Sequence, residues 1–416
     1  MDGIGNGTEI VSGNENRATE RVVVVLVTGG TMGSMADSEG AKRPVEGVIE
    51  QMVGYIKEKE LVSRGTGIEV GTIIKKDGSK LIKDSTDMTP ADQHDIAQFV
   101  KKVMERKAKG EGILGLVIVH GTDTLPWIST MLGVAVNTNM PVVITGAMKS
   151  VEQPNTDAYR NFRHAIMAVE GLADMGRNGT YVVFGRKIMD GLWVREEDPR
   201  TTLSAFDSFN KPVGIFEEDR LVFRNGNAQA YQQEEGAKPA MVLPMSDDVA
   251  VVFVTPSTIG KMHIDTIKSI KSKGMVVIGT HSGGVRWDLH DALRKVAEVI
   301  PVVSSAFIPG AEPGAYAVSN QLIEIGVIPG IGVCHLDHAL LRAAVALGDE
   351  RRSQSEIFEA LRDRARLNKM HGTVHPHMLA KFGMDGYGAI VRARQLNEVL
   401  ADAVRGLGIH KTRVRN

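Results

Sequence analysis

The chain has 416 residues, 24% charged and 43% hydrophobic, and its formal net charge of −1 gives no bulk attraction to nucleic acid or anionic lipid. One cysteine, Cys334, excludes an intrachain disulfide framework. No apolar run reaches the roughly 18 residues of a membrane span, and the N-terminus lacks the basic-then-apolar order of a signal peptide, which predicts a cytoplasmic protein.

Residues 1–20, rich in Gly, Asn, Glu and Thr, predict a flexible lead. From Arg21 onward, short β-branched runs alternate with helix-length segments. Val22–Val27, Leu114–Val119, Pro141–Thr145 and Tyr181–Phe184 read as strands apolar on both faces, the pattern of a parallel sheet covered by helices. Ala91–Lys107, opened by Thr89-Pro90, and Asn155–Glu170 read as the clearest helices between them. A polar passage at 225–248 predicts a linker, and Val249–Val254, Met275–Ile278 and Val299–Val303 resume the alternation. The expected organisation is a doubly wound parallel-sheet α/β domain at 21–224, a smaller α/β domain at 249–364, and a helical, basic-ended extension at 365–416.

In an open parallel sheet, ligands sit at the carboxyl ends of the strands, so the turns there carry the functional information. The first, Thr28-Gly29-Gly30-Thr31-Met32-Gly33, has neither the dinucleotide spacing nor the lysine of a triphosphate loop. It reads as a tight turn on permissive backbone, or as a device that presents Thr31. The second, His120-Gly121-Thr122-Asp123-Thr124, aims hydroxyls and a carboxylate into a cleft, or caps the next helix through Asp123 or Thr124. In the third, Lys83 to Asp92, Thr89 is explained as a helix cap, whereas Ser85, Thr86 and Asp87 are not. The fourth, Val142 to Ser150, is again a strand running into Thr-Gly. Together they would gather Thr31, Ser85, Thr86, Thr122 and Asp123 around one crevice. His120 and His164 read as isolated histidines, and His371, His375 and His377 as a chance cluster. No metal-ligand set and no cofactor signature is visible.

Four segments taken in order, Val27–Thr31, Asp84–Pro90, His120–Thr124 and Pro141–Met148, resemble the signature segments of bacterial-type L-asparaginases, the second being closer to the cytoplasmic type I branch. Gly314 to Gly330 is similar to that branch's closing segment, so the resemblance spans about Arg21 to Arg364. The D-type component of the archaeal glutamyl-tRNA amidotransferase shares these motifs. The resemblance implies an amidohydrolase that works as a homodimer or homotetramer and cleaves a side-chain amide through a threonine nucleophile. It places Thr31 as the first-loop threonine, Thr122 as the threonine of the second triad, and Asp123 as the carboxylate gripping the substrate ammonium. It places Ser85 and Thr86 on the α-carboxylate, and Gly30 and Gly121 among the backbone groups facing the substrate. Glu312 is a candidate contribution from a neighbouring subunit.

The chain departs from the family pattern at the groups that activate the threonines. Counting back from Ala205-Phe206-Asp207-Ser208-Phe209-Asn210 to the expected lysine lands on Glu197, with Arg195 or Arg200 reached by small shifts. An arginine stays protonated and cannot be the base. No tyrosine lies between Thr31 and Tyr55; Lys42 stands near the place of the family's loop tyrosine, as a flexible acid/base or an anchor for an acidic group. Lys149 and Lys187 are other candidates to fill the vacancy. The sequence thus leaves open an amidohydrolase with an altered proton relay, an amidotransferase-type subunit supplying ammonia, and an amino-acid-binding homologue without turnover.

Overall fold

The computed structural model describes residues 21–36, 42–45, 47–59, 63, 65–218, 220–223, 242–254, 265, 269, 271–280, 283–307, 317–348 and 351–370. The chain divides into two compact units, Met1–Val242 and Leu243–Asn416.

In the first unit the strands are β1 (Arg21–Val27), β2 (Ser34–Ala36), β3 (Lys42–Pro44), β4 (Thr66–Gly71), β5 (Ile113–Val119), β6 (Pro141–Thr145), β7 (Gly179–Phe184), β8 (Lys187–Asp190), β9 (Val194–Glu196), β10 (Phe206–Ser208), β11 (Gly214–Glu217) and β12 (Arg220–Phe223). The main sheet has the order β12-β11-β8-β7-β6-β5-β1-β4. Strands β4, β1, β5, β6 and β7 pair in parallel. The predicted parallel core is therefore present, and three antiparallel strands, β8, β11 and β12, extend it at one side.

Helices α1 (Val48–Glu58), α2 (Pro90–Ala108), α3 (Leu125–Ala135) and α4 (Ala158–Asp174) cover the sheet. Side chains alternate across a strand, so β1 sends Val23, Val25 and Val27 to one face, where they pack with Ile49, Met52 and Ile56 of α1 and Phe162, Ala165 and Val169 of α4. Val24 and Leu26 point the other way and are equally buried. Burial on both faces explains the uninterrupted apolar runs of β1, β5 and β6.

The second unit holds β13 (Val249–Phe253), β14 (Gly274–Ile278), β15 (Val302–Ser305) and β16 (Ile328–Pro329), all parallel and in that order, with α5 (His290–Ala297), α6 (Ala317–Glu324), α7 (Cys334–Leu347) and α8 (Arg351–Met370). The strand expected at Val299–Val303 begins instead at Val302. The amides of Val299 and Ile300 are used to close α5, both bonding the Val296 carbonyl, and the ladder starts where Met275 donates to the Pro301 carbonyl. The lead at 1–20, most of the expected linker and residues 371–416 lie outside the described residues, His371, His375 and His377 included. Among the described residues no helix is long and apolar enough to cross a membrane.

The segment that leads into α2 is held from beneath. Thr89 caps the helix and forms a reciprocal capping box with Asp92. Asp92 is buried, and its carboxylate also takes the ammonium groups of Lys75, at 2.5 Å, and Lys83. Burial alone would raise this carboxyl, but the hydrogen bonds from the two lysines and Thr89 outweigh it and hold the group well below the usual aspartate range. Asp92→Ala is expected to cost about 2 kcal/mol at pH 7 in urea unfolding, through the lost cap and the two uncompensated lysines. A depressed carboxyl stabilises the fold above its unfolded-state pKa and loses that contribution as pH falls, so the gap between wild type and variant should shrink below about pH 4.

Candidate active site

The turns after β1 and β5 meet at the carboxyl end of the sheet, and glycine permits the meeting. Gly29 and Gly30 have φ of 117° and 81°, values that side chains rarely adopt. A Cβ on Gly29 would lie 2.0 Å from the Lys83 carbonyl oxygen, and one on Gly30 would lie 2.4 Å from the Gly121 Cα. A Cβ on Gly121 would in turn fall 2.4 Å from the Ser85 Oγ. The first, second and third turns are thus stacked backbone against backbone. Lys83 also donates its amide to the Thr28 carbonyl at 3.1 Å, continuing the sheet by one bridge.

Thr31 follows Gly30 and opens a 3₁₀ turn, Thr31–Gly33; Thr122 follows Gly121 and opens another, Thr122–Thr124. The two threonines leave a common contact, and both are half-buried. Asp123, exposed, accepts a 2.9 Å hydrogen bond from the Thr86 hydroxyl. Ser85 is buried against Gly121. The fourth turn closes on the second: a Cβ on Gly146 would lie 2.6 Å from the His120 carbonyl oxygen and 3.6 Å from Thr122 Cγ2. Asp157, fully buried, accepts the amides of Met148 and Lys149, while Asn161 donates to the Gly146 carbonyl, so this turn is fixed from behind.

The structure therefore gathers Gly30, Thr31, Ser85, Thr86, Gly121, Thr122 and Asp123 in one place. It does not use Asp123 or Thr124 as a side-chain cap of α3, because neither bonds that helix's first amides. Lys42 opens β3 and pairs with Ala36 on a hairpin that leaves the Thr31 turn, and Val45 donates to the Gly33 carbonyl; nothing is described of the Lys42 side chain. Glu312 lies outside the described residues. Lys149 bonds the Pro154 carbonyl and Lys187 pairs with Asp207 at 2.9 Å, so both have partners of their own. Arg200 pairs with Asp198.

Two residues of this region were not found by reading the sequence. Counting reached Glu197, but its carboxylate is taken by Arg195 at 2.6 Å, with Arg195 also lying over the Phe209 ring. Its neighbour Glu196, at the end of β9, is exposed. Desolvation, and then the charge of Asp123, raise its carboxyl above the ordinary glutamate range. The chain reaches this position over α3, where Ser129 donates to the Gly191 carbonyl at 2.8 Å and Leu192 packs on Gly133. The strand carrying Val194 to Glu196 is too short for its facing to be read from alternation. The second is His120, which is not isolated. Its Nδ1 lies 2.7 Å from Thr28 Oγ1 and its Nε2 3.1 Å from Thr124 Oγ1. His164, by contrast, is a core histidine, bonded to the Gly185 carbonyl and stacked on Phe216.

Comparison with known proteins agrees with this architecture. The family model described as "Asparaginase, N-terminal" matches residues 22–229. An L-asparaginase of Thermococcus kodakarensis is 29% identical over 343 residues, which is 79% of this chain and 93% of the relative. The D-type component of the glutamyl-tRNA(Gln) amidotransferase of Saccharolobus islandicus is 25% identical over 324 residues, 74% of this chain and 67% of the relative. Among solved structures, the thermostable L-asparaginase from Thermococcus kodakarensis matches with a TM-score of 0.65 at 27% identity, covering 83% of this chain and 96% of that one. L-asparaginase I from Vibrio cholerae matches in fold, with a TM-score of 0.64 at 20% identity over 83% of this chain and 97% of that one. The family match, together with the parallel α/β core, makes the chain an asparaginase-family amidohydrolase. The chain belongs to the asparaginase family.

The stacked glycines make a direct prediction. Gly30→Ala combines a positive φ with a clash against backbone and is expected to cost about 2–3 kcal/mol in urea unfolding. Gly33→Ala, in the same turn, meets nothing nearer than Val27 Cγ1 at 3.7 Å and should stay within about 0.5 kcal/mol of wild type.

Proposed function

We propose that the protein hydrolyses the side-chain amide of L-asparagine, or of a related amino-acid amide, to the acid and ammonia. The observation that carries this reading is the stacking of Gly30, Gly121 and Ser85, which brings two threonines, a serine and a carboxylate to one strand-end site in a chain of the asparaginase family. In this reading the Thr31 hydroxyl attacks the amide carbon, its proton leaves with the amide nitrogen as ammonia, and water then cleaves the ester formed on Thr31. Asp123, steadied by Thr86, holds the substrate ammonium, and Ser85 and Thr86 face its α-carboxylate. Backbone groups of Gly30 and Gly121 line the path of the substrate, Thr122 assists the proton transfer, and Glu312 completes the site from a neighbouring subunit of a cytoplasmic homodimer or homotetramer.

The proton relay is the altered part. Glu196 takes the acid/base role in this reading, as an exposed carboxyl raised by desolvation and by the charge of Asp123, and Lys42 supplies a second proton-bearing group from the hairpin beyond Thr31. A carboxylate accepts a proton only when ionised, so turnover should rise with pH through a limb lying above the ordinary glutamate range. The similarity to an amidotransferase component favours a second reading, in which the ammonia is delivered to a partner protein.

Ammonia release from asparagine, glutamine and other side-chain amides tests the proposal. Thr31→Ala is expected to lower kcat at least ~10³-fold, and Glu196→Gln to lower kcat and abolish the acidic limb of the pH profile. Binding of amino acids with no turnover of any amide would remove the enzymatic reading, and full activity in Thr31→Ala would remove the nucleophile.

A further inference from the structure

The function proposed above gives His120 no task, yet the ring is almost fully buried and both of its nitrogens are engaged. Each hydroxyl it meets has a second partner on the far side. Thr28 Oγ1 lies 2.9 Å from the Val119 carbonyl oxygen, and Thr124 Oγ1 lies 3.1 Å from that of Ser85. The backbone amide of His120 donates to the Thr145 carbonyl at 2.9 Å, so the residue is pinned at the end of the sheet.

Proton counting shows what this arrangement permits. A neutral imidazole has one N–H. With the proton on Nε2, the ring donates to Thr124, Thr124 donates to Ser85, and Thr28 donates to Nδ1. With the proton on Nδ1, the ring donates to Thr28, Thr28 donates to Val119, and Thr124 donates to Nε2. Either state leaves both ring nitrogens paired without moving a heavy atom. Burial lowers the ring pKa to about 4, so the neutral form prevails at neutral pH. Among the described residues no ionisable side chain hydrogen-bonds the ring.

We propose that His120 is a positioning residue whose neutral ring couples Thr28 to Thr124 and thereby holds the turn bearing Thr31 in register with the turns bearing Thr122 and Ser85. It acts through two hydroxyls rather than by touching the substrate, and its kinetic consequence rests on Thr31 being the nucleophile. Hydroxyls set to react lose rate steeply when displaced, and a buried polar ring deprived of one partner turns to the other.

Thr28→Val and Thr124→Val each remove one arm with little change of size. Each is expected to lower kcat/KM about tenfold, the double variant no further than the weaker single one, and the serine variants at both positions to recover most of the loss. Independent losses multiplying to about 100-fold overturn the proposal. A ligand-free readout separates it from the assignment of function. In ¹⁵N NMR spectra of the resting protein at pH 7, the proton of His120 should reside on Nε2 in Thr28→Val and on Nδ1 in Thr124→Val. The same tautomer in both variants, with native thermal unfolding, overturns the coupling even if the protein hydrolyses amides. Absence of turnover together with the tautomer exchange keeps the coupling and removes the assigned reaction.

Discussion

Three segments distant in sequence approach one another more closely than any Cβ allows. Gly29 lies on the Lys83 carbonyl, Gly30 on Gly121, and Gly121 on the Ser85 side chain. This contact is steric before it is chemical. It sets the departure point of Thr31 and Thr122, and it seats Ser85 against Gly121. The hydrogen bond from Thr86 to Asp123 is possible only because those backbones have already met.

Polar supports behind the contact keep it in place. The lysine-paired Asp92 anchors the third turn to α2, Asp157 and Asn161 hold the fourth, and His120 spans the first and second. Each of these groups is buried or nearly so and each is hydrogen-bonded, as a buried polar group must be to avoid a desolvation cost. The front of the site is different, since Asp123 and Glu196 are exposed, and desolvation and the charge of Asp123 raise the Glu196 carboxyl.

The sheet core and the four turns were legible in the sequence because strands buried on both faces leave continuous β-branched runs, and their ends are marked by glycine and hydroxyl residues. The antiparallel strands β8, β11 and β12 were not, being only four residues long and carrying charged ends such as Lys187 and Arg220. The strand at Val302–Ser305 was placed too early, because Val299 and Ile300 are β-branched while their amides close the preceding helix. Counting back from Ala205 reached Glu197 and not its neighbour Glu196, because counting across a loop assumes equal lengths. His120 looked isolated because one of its partners, Thr28, stands 92 residues away in the chain and makes its bond only after β1 and β5 have paired.

The backbone contact at Gly30 also limits how such a site can change. Any substitution at Gly29, Gly30, Gly121 or Gly146 puts a Cβ within 2.6 Å of a neighbouring turn, so none of these positions can vary without moving two turns at once. Positions 86, 123 and 196, whose side chains are exposed, are under no such restriction. On this scaffold the strand-end backbone is therefore the sterically fixed part, and the exposed side chains at its front are the part that packing leaves open.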